Sequence, residues 1–336
     1  MRIKYPDVSV IIVTYNGGKY LESLFESLRL QSYPQENIEI IVVDNASADN
    51  TVDLIKNGYP HVKIVALDKN LGFGAGNNVG LEMAQHEYLV FLNQDTICHR
   101  HWLESLILKM LEDREIGACS SNVISVEEHE INSIDTKASV DSLYFYDLSP
   151  FGYGRYRKKR RTAIVFPKIV SGCSFAIRRK TVDLLGYLFD EKLWMYVEDT
   201  DLSLRIYNVG QRICVVRNSV VYHLHNGNTQ IDKAGVFLAG KAIMNRVFVF
   251  FKNMDGFEFF LFFPFLFFGG AFKIFELSLS KSRKVFFLLP FSIFSMCCMI
   301  AALFRLGRFS EARRTVLKQR RLSRFPILRL VLKPGS

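Results

Sequence analysis

Four short polar clusters in this sequence carry residue types that could do chemistry. Asn93-Gln94-Asp95 directly follows the apolar run Tyr88 to Leu92. A carboxylate at the carboxyl edge of a strand can hold a divalent cation. Mg²⁺ commonly takes only one or two carboxylates, with phosphate oxygens and water completing its shell. Asp95 could equally cap a helix near Trp102, and the two roles are compatible. Glu198-Asp199-Thr200-Asp201 opens a helical pattern carrying Leu202, Leu204 and Arg205. One carboxylate there suits the helix dipole, but three exceed what capping needs, so metal ligation or proton acceptance is in question. A helix starting near Thr200 places Asp199 close to its N-cap, with Asp201 in the first turn and Asp190 upstream as a further competitor. His223-Leu224-His225 closes the strand-like run Ile213 to Tyr222. Alternate residues of a strand share a face, so either imidazole is a candidate metal ligand beside a lone carboxylate. Asp44 follows another buried run and could accept hydrogen bonds from a base or ribose, although Asp-Asn-Ala-Ser is also ordinary turn chemistry.

The elements around these clusters read as an alternation. Val8 to Val13, Ile38 to Val43, Val62 to Ala66 and Tyr88 to Leu92 are short apolar runs rich in β-branched residues, as buried strands are. Leu21, Leu24, Phe25 and Leu28 recur at helical spacing. Thr51 to Lys56 forms a short helix, and the glycine-rich stretch Asn70 to Gly80 leads into another. Strand–helix alternation predicts right-handed βαβ units and an α/β fold with a mainly parallel, Rossmann-like sheet. Ligands of such sheets bind beyond the carboxyl ends of the strands, where Thr14-Tyr15-Asn16, Asp44 to Ser47 and Asn93 to Asp95 all fall. Residues 124 to 168 read as irregular, with a basic run from Arg155 to Arg161 that is either a loop over the site or membrane, or a solvated insertion.

With 49% hydrophobic and 23% charged residues, the 336-residue chain is globular. Its net charge of +10 is polarised: residues 247 to 336 hold 15 Lys and Arg against 4 Asp and Glu, while the remainder is close to neutral. This basic tail is also rich in Phe. Residues 259 to 272 and 285 to 304 carry no charge. The first run is short for a bilayer and the second just reaches the roughly 20 residues required. Two spans would put a loop holding Lys273, Lys281, Arg283 and Lys284 outside, against the positive-inside rule. Interfacial or re-entrant helices fit better. The expected organisation is a catalytic domain over residues 1 to 240 and a membrane-associated helical region over 241 to 336. Apolar runs between the cations fit an anionic membrane better than a nucleic acid backbone. None of the six cysteines forms a C-x-x-C pair, which fits a reducing compartment. No cleavable signal peptide is legible at the N-terminus.

Along residues 8 to about 230 the sequence resembles family 2 glycosyltransferases of the GT-A fold, especially the bacterial rhamnosyltransferase-like group. Val8-Ser-Val-Ile-Ile-Val-Thr-Tyr-Asn16 resembles the opening strand and Asp44-Asn-Ala-Ser-Ala-Asp-Asn-Thr51 the nucleoside-binding turn. Asn70-Leu-Gly-Phe-Gly-Ala-Gly-Asn-Asn78 is similar to the glycine-rich loop, and Asn93-Gln-Asp95 to a variant of the metal-binding D-x-D motif. Ser171-Gly-Cys-Ser174 resembles the small-residue segment lining the pocket, and Trp194-Met-Tyr-Val-Glu-Asp-Thr-Asp-Leu202 the acidic motif that supplies the base. Asn93 stands where many relatives have Asp, leaving Asp95 as the carboxylate of that motif. No Q-x-x-R-W motif occurs, and the only tryptophans are Trp102 and Trp194, so single-sugar transfer is expected rather than polymerisation.

The resemblance implies inversion by direct displacement at the anomeric carbon of a nucleotide-diphosphate sugar. Asp199 is then the base, with Glu198 beside it. Asp95, Mg²⁺ or Mn²⁺, and His223 clamp the leaving diphosphate. Thr14, Tyr15 and Asp44 hold the nucleoside, with Asn16, Asn45, Asn70, Gly72, Asn77, Asn93 and Gln94 around the donor. Ser171, Gly172 and Trp194 lie on the acceptor side. The expected acceptor is a lipid-linked saccharide at the cytoplasmic face of the inner membrane, and the family-level guess for the sugar is rhamnose from a dTDP donor. A sugar-nucleotide nucleotidyltransferase and a catalytically inactive membrane scaffold are the alternatives.

Overall fold

The computed structural model describes residues 4–148, 154–225, 233–266 and 288–321. In chain order the N-terminal half runs β1 (Val8–Thr14), α1 (Leu21–Arg29), β2 (Ile38–Asp44), α2 (Thr51–Gly58), β3 (Lys63–Ala66), α3 (Phe73–Met83) and β4 (Tyr88–Asn93). There follow β5 (Thr96–Cys98), α4 (Trp102–Glu112), β6 (Ile116–Glu127), β7 (Ser142–Leu148), β8 (Gly154–Arg160), β9 (Ile164–Val165), β10 (Ser174–Arg178), α5 (Arg179–Leu185), α6 (Glu198–Asn208) and β11 (Arg212–His225). The chain then continues in α7 (Lys233–Asn253), α8 (256–266), α9 (Leu288–Leu303) and α10 (Ser310–Gln319).

The main sheet has the order β3-β2-β1-β4-β10-β6-β11-β5, with β9 on β11. Strands β3, β2, β1 and β4 are parallel, as expected. Beyond them the sheet is mixed: β10 runs antiparallel to both β4 and β6, and β11 is parallel to β6 but antiparallel to β5. The fold is thus a mixed α/β one, less parallel than the sequence pattern predicts. Apolar runs report burial of both faces but carry no strand direction. The register fixes the site: Thr14 stands beside Asp44, and Val13 beside Asn93, all at one edge.

Alternate residues face two cores. Val10, Ile12, Val42 and Val90 pack with Leu24, Leu28, Trp102 and Leu106 on one face. Ile11, Ile41, Leu89 and Phe91 pack with Phe175, Phe189 and Leu202 on the other. On that second face the glycines of α3 let the helix lie close: a Cβ on Gly76 would sit 3.0 Å from a Val13 methyl, and one on Gly80 would strike Ile11. Most of the glycine-rich stretch is therefore helix rather than loop.

Two further corrections concern the later chain. Residues 124 to 168 are not irregular. β7 and β8 form an antiparallel hairpin in which Leu143 and Phe145 are buried while Tyr144 stacks on Tyr156. Its period-2 alternation is masked in sequence by the basic run on β8. The expected boundary at residue 240 falls inside α7. That helix is docked on the catalytic body, because Val247, Phe250 and Met254 share a core with Leu193 and Leu204 as well as with Phe262, Met299 and Phe309. Among the described residues, no helix is long and apolar enough to cross a membrane. Residues 267–272 and 285–287 of the two uncharged runs, with Lys273, Lys281, Arg283 and Lys284, lie outside the described residues.

Candidate active site

The carboxyl ends of β1 and β2 feed two loops that are laced together by side chains. The Thr14 hydroxyl donates to Asp44 Oδ1 at 3.0 Å, and Ser47 donates from its backbone N–H and its hydroxyl to the same carboxylate. Ser47 Oγ in turn accepts from Asn16 N–H at 2.8 Å, and Asn16 Oδ1 accepts from Ala48 N–H at 2.8 Å. Asn16 takes a left-handed φ of 48°, which Asn tolerates better than most residues. Asp44 is only 1% exposed. In this structure it organises the cradle from beneath, while Tyr15, 48% exposed, stands at its rim.

Gln94 braces the same rim. It accepts from Tyr15 N–H at 3.0 Å and donates to Tyr15 O at 3.2 Å. Asn45 is buried and uses both ends of its amide on the next loop, donating to Gly72 O and accepting from Leu71 N–H. Asn70 accepts from Gly72 N–H, and Asn77 donates to Phe73 O. So Asn45, Asn70, Asn77 and Gln94, expected around the donor, spend their polar groups here on shaping the loops. Gly72 has φ +88°, and a Cβ there would meet the Trp194 indole and its carbonyl oxygen. The Gly72 loop and the Trp194 loop therefore touch at a position only glycine fits.

Asp95 and His223 lie side by side. Antiparallel pairing sets His223 opposite Thr96, Leu224 N–H donates to Asp95 O, and Asp95 Oδ1 lies 3.3 Å from His223 Nε2. Asp95 does not cap α4, whose N-cap is His101. Strand β11 runs on through His225, further than the sequence suggests, and the His225 side chain lies outside what is described. Among the described residues, no three His, Cys, Asp or Glu side chains converge on one point. One carboxylate and one imidazole fit a cation that takes its other ligands from substrate phosphate and water.

The acidic motif resolves into three different carboxylates. Helix α6 begins at Glu198 with Val197 as N-cap, so Glu198 and Asp199 lie inside the first turn, two residues earlier than predicted. Asp199 is half-buried. Its Oδ1 accepts from Thr200 N–H at 2.6 Å and from Thr200 Oγ1 at 3.2 Å. Its Oδ2 lies on the Gly172 side, where a Cβ would sit 3.7 Å away. Burial raises its pKa, and hydrogen bonds from Thr200 and Gly172 offset only part of that rise. Glu198 is 9% exposed, and its Oε2 has no hydrogen-bond partner among the described residues. Burial, then the neighbouring Asp199, push its carboxyl up to about 8. Asp201 behaves oppositely. Burial alone would raise it, but Lys252 at 2.9 Å and Arg205 at 2.9 Å hold it below the usual carboxylate range. Asp190 pairs with Lys252 at 2.7 Å.

Two further residues were not named as site residues from the sequence. Burial and then the Asp95 charge raise the Cys173 thiol. Tyr146, on the hairpin, is raised by burial and then by Cys173 and Asp199. Cys173 O accepts from Asn93 N–H at 2.9 Å, which seats Cys173 beside the Asn93-Gln94-Asp95 edge. Ser171 N–H donates to Ser120 Oγ, which seats the Ser171-Gly172 turn beneath Asp199. The segment before α6 is strained: Trp194, Tyr196 and Val197 have φ of 60°, 67° and 71°. Each such residue costs on the order of 1–3 kcal/mol and persists only where its surroundings over-determine it.

The family described as glycosyl transferase family 2 matches residues 9–184. The chain belongs to that family. It is 30% identical over 237 residues to an uncharacterized glycosyltransferase of Rickettsia typhi, covering 68% of each chain. A second, from Rickettsia prowazekii, is 29% identical over 210 residues, covering 61% of this chain and 59% of the relative. Among solved structures, GalNAc-T7 with UDP, GalNAc and Mn²⁺ superimposes with a TM-score of 0.61 at 16% identity, covering 90% of this chain and 57% of the other. The mannosyltransferase of Pyrobaculum calidifontis in complex with GDP-Man and Mn²⁺ does so with 0.56 at 18% identity, covering 94% and 84%. These are likenesses of fold, and they make the mixed sheet a GT-A-like one. The glycosyltransferase assignment sets aside the nucleotidyltransferase and the inactive scaffold.

Proposed function

We propose that this glycosyltransferase moves one sugar, with inversion, from a nucleotide-diphosphate donor to a lipid-linked saccharide in the synthesis of cell-surface polysaccharide. The observation that carries the reading is the division of labour among the carboxylates of α6. Asp201 is neutralised by Lys252 and Arg205, whereas Asp199, among the described residues, accepts hydrogen bonds from Thr200 and Gly172 but is paired with no cation. A base with a raised pKa is a stronger base, and it serves best when its pKa approaches the working pH. Burial and the neighbouring Asp199 push Glu198 up to about 8, so near neutrality Glu198 holds a proton. The acceptor hydroxyl gives its proton to Asp199 Oδ2 as its oxygen bonds the anomeric carbon, and the bond from that carbon to the diphosphate oxygen breaks. Asp95 and His223 would hold Mg²⁺ or Mn²⁺, which supplies electrostatic stabilisation of the diphosphate when bound. The loops around Thr14 and Asp44 hold the nucleoside, with Tyr15 at the rim.

The lipid-linked acceptor and a peripheral place at the cytoplasmic face of the membrane are supported by exposed apolar residues of the C-terminal helices. Phe260 and Phe304 are 74% and 88% exposed, with Phe265, Met296, Ile300 and Leu303 also exposed and Arg305 and Arg308 beside them. Apolar anchors with flanking cations suit an anionic lipid surface. Rhamnose rests on sequence resemblance alone, so UDP-GlcNAc and GDP-mannose stand beside dTDP-rhamnose as donors to test. A thermal-shift screen of UDP, GDP and dTDP with and without Mn²⁺ tests the reading, since a ligand of the folded state stabilises it by mass action. Failure of all three to raise Tm, with or without Mn²⁺, would sink it.

A further inference from the structure

The three left-handed residues just before α6 are held by one side chain from a helix much later in the sequence. Asn245 of α7 is 2% exposed. Its Nδ2 donates to Leu193 O at 2.8 Å, Met195 O at 2.9 Å and Tyr196 O at 3.0 Å. An amide carries two hydrogens, so one is shared between two carbonyls. Asn245 belongs to a row along α7. Lys241, one turn before it, lies over the Trp194 ring at 5.8 Å. Lys252, two turns after it, binds Asp190 and Asp201 at 2.7 and 2.9 Å. The row brackets the whole segment from Asp190 to Asp201, with Asn245 at the part of it that lacks a regular backbone ladder.

We infer that Asn245 is a positioning residue for sugar transfer. It fixes the strained turn that sets Glu198 and Asp199 at the start of α6, Asp199 beside Gly172, and Trp194 against Gly72. Without its three hydrogen bonds, Trp194, Tyr196 and Val197 relax toward right-handed or extended φ, and the start of α6 moves with them. A misplacement of about an ångström can cost ~100-fold in a reaction that depends on alignment. Among the described residues Asn245 has no hydrogen bond to the cradle around Thr14 and Asp44, so binding of the nucleoside diphosphate itself is left intact and the change falls on the Trp194 and α6 side. The inference rests on Asp199 being the base.

Asn245→Leu keeps the side chain's shape and removes its donor. Trp194 and Trp102 are the only tryptophans, and Trp102 is fully buried, so iodide quenching reports Trp194. The expected result is quenching raised at least about twofold and kcat lowered at least tenfold, with the Kd of the diphosphate chosen from UDP, GDP and dTDP by the Mn²⁺ screen unchanged. Asn245→Asp, which sets a carboxylate oxygen in place of the amide nitrogen, carries the same measurements should Asn245→Leu not fold. Asp199→Asn is measured alongside. If it loses activity while the Asn245 variants keep wild-type quenching and kcat, the inference is overturned and the base assignment stands. If Asp199→Asn keeps wild-type kcat, the base assignment falls and this inference with it.

Discussion

Lys252 Nζ lies 2.9 Å from Asp201 Oδ1, both side chains fully buried, in helices with β11 between them in sequence. This pair neutralises Asp201, one of three neighbouring carboxylates at the start of α6. It also ties the C-terminal helices to the catalytic body.

Asp199→Asn should therefore retain nucleotide binding and lose at least about a hundredfold in kcat, the low end for general-base catalysis. Asp201→Asn should act on stability, because it leaves Lys252 and Arg205 short of a buried partner, at about 3 kcal/mol. Single-turnover transfer and urea denaturation on both variants separate the two effects. An inactive but fully stable Asp201→Asn would make Asp201 the base.

The pH dependence of stability follows from Glu198. Its carboxyl rises from 4.5 to about 8 on folding. Between those values the folded chain holds a proton that the unfolded chain has lost, so this group's contribution to stability falls as pH rises through the window. Glu198→Gln should flatten that slope and become the more stable protein above pH 8. Urea midpoints measured from pH 5 to 9 check it, and parallel curves for the two proteins would contradict it.

Asp95→Ala should abolish transfer and remove the Mn²⁺ dependence of nucleotide binding, while His223→Gln weakens it by less. Isothermal titration of the nucleotide with and without Mn²⁺ reads this directly. An Asp95→Ala titration matching the wild type would place the cation elsewhere.

Gly72→Ala should disturb the donor side without touching a polar group. The new methyl meets Trp194 in a backbone with φ +88°. We expect a rise in donor KM of at least about tenfold. An unchanged KM would mean that the contact between the two loops gives way freely.

A chain ended after residue 240 should aggregate rather than gain solubility. It exposes Leu193 and Leu204 and leaves Asp190 and Asp201 without Lys252. The membrane reading is tested instead by Phe260→Glu with Phe304→Glu in the full chain. Co-sedimentation with anionic vesicles should fall at least severalfold. Undiminished binding would move the contact to the basic hairpin strand β8.

Much of the site was legible in the sequence because short-range pattern determines it. The apolar runs of β1, β2 and β4 end where Thr14, Asp44 and Asn93 stand, and parallel pairing then sets those ends side by side. The pairing of Asp95 with His223 was legible too, since each follows a strand-like run and alternation gives each a facing direction. Strand direction beyond β4 was not, because an apolar run looks the same whichever way it is traversed. Nor was the hairpin of β7 and β8, whose alternation is hidden by cations on the solvent side. The charge division of the sequence suggested a separable tail, yet α7 supplies Lys241, Asn245 and Lys252 to the acidic loop. Composition records charge and apolarity, but not which distant side chain will enter a desolvated cluster. The sequence alone already favoured Asp199 over Asp201 as the base; what only the tertiary structure supplied is the physical difference between them, a lysine from another helix that neutralises Asp201.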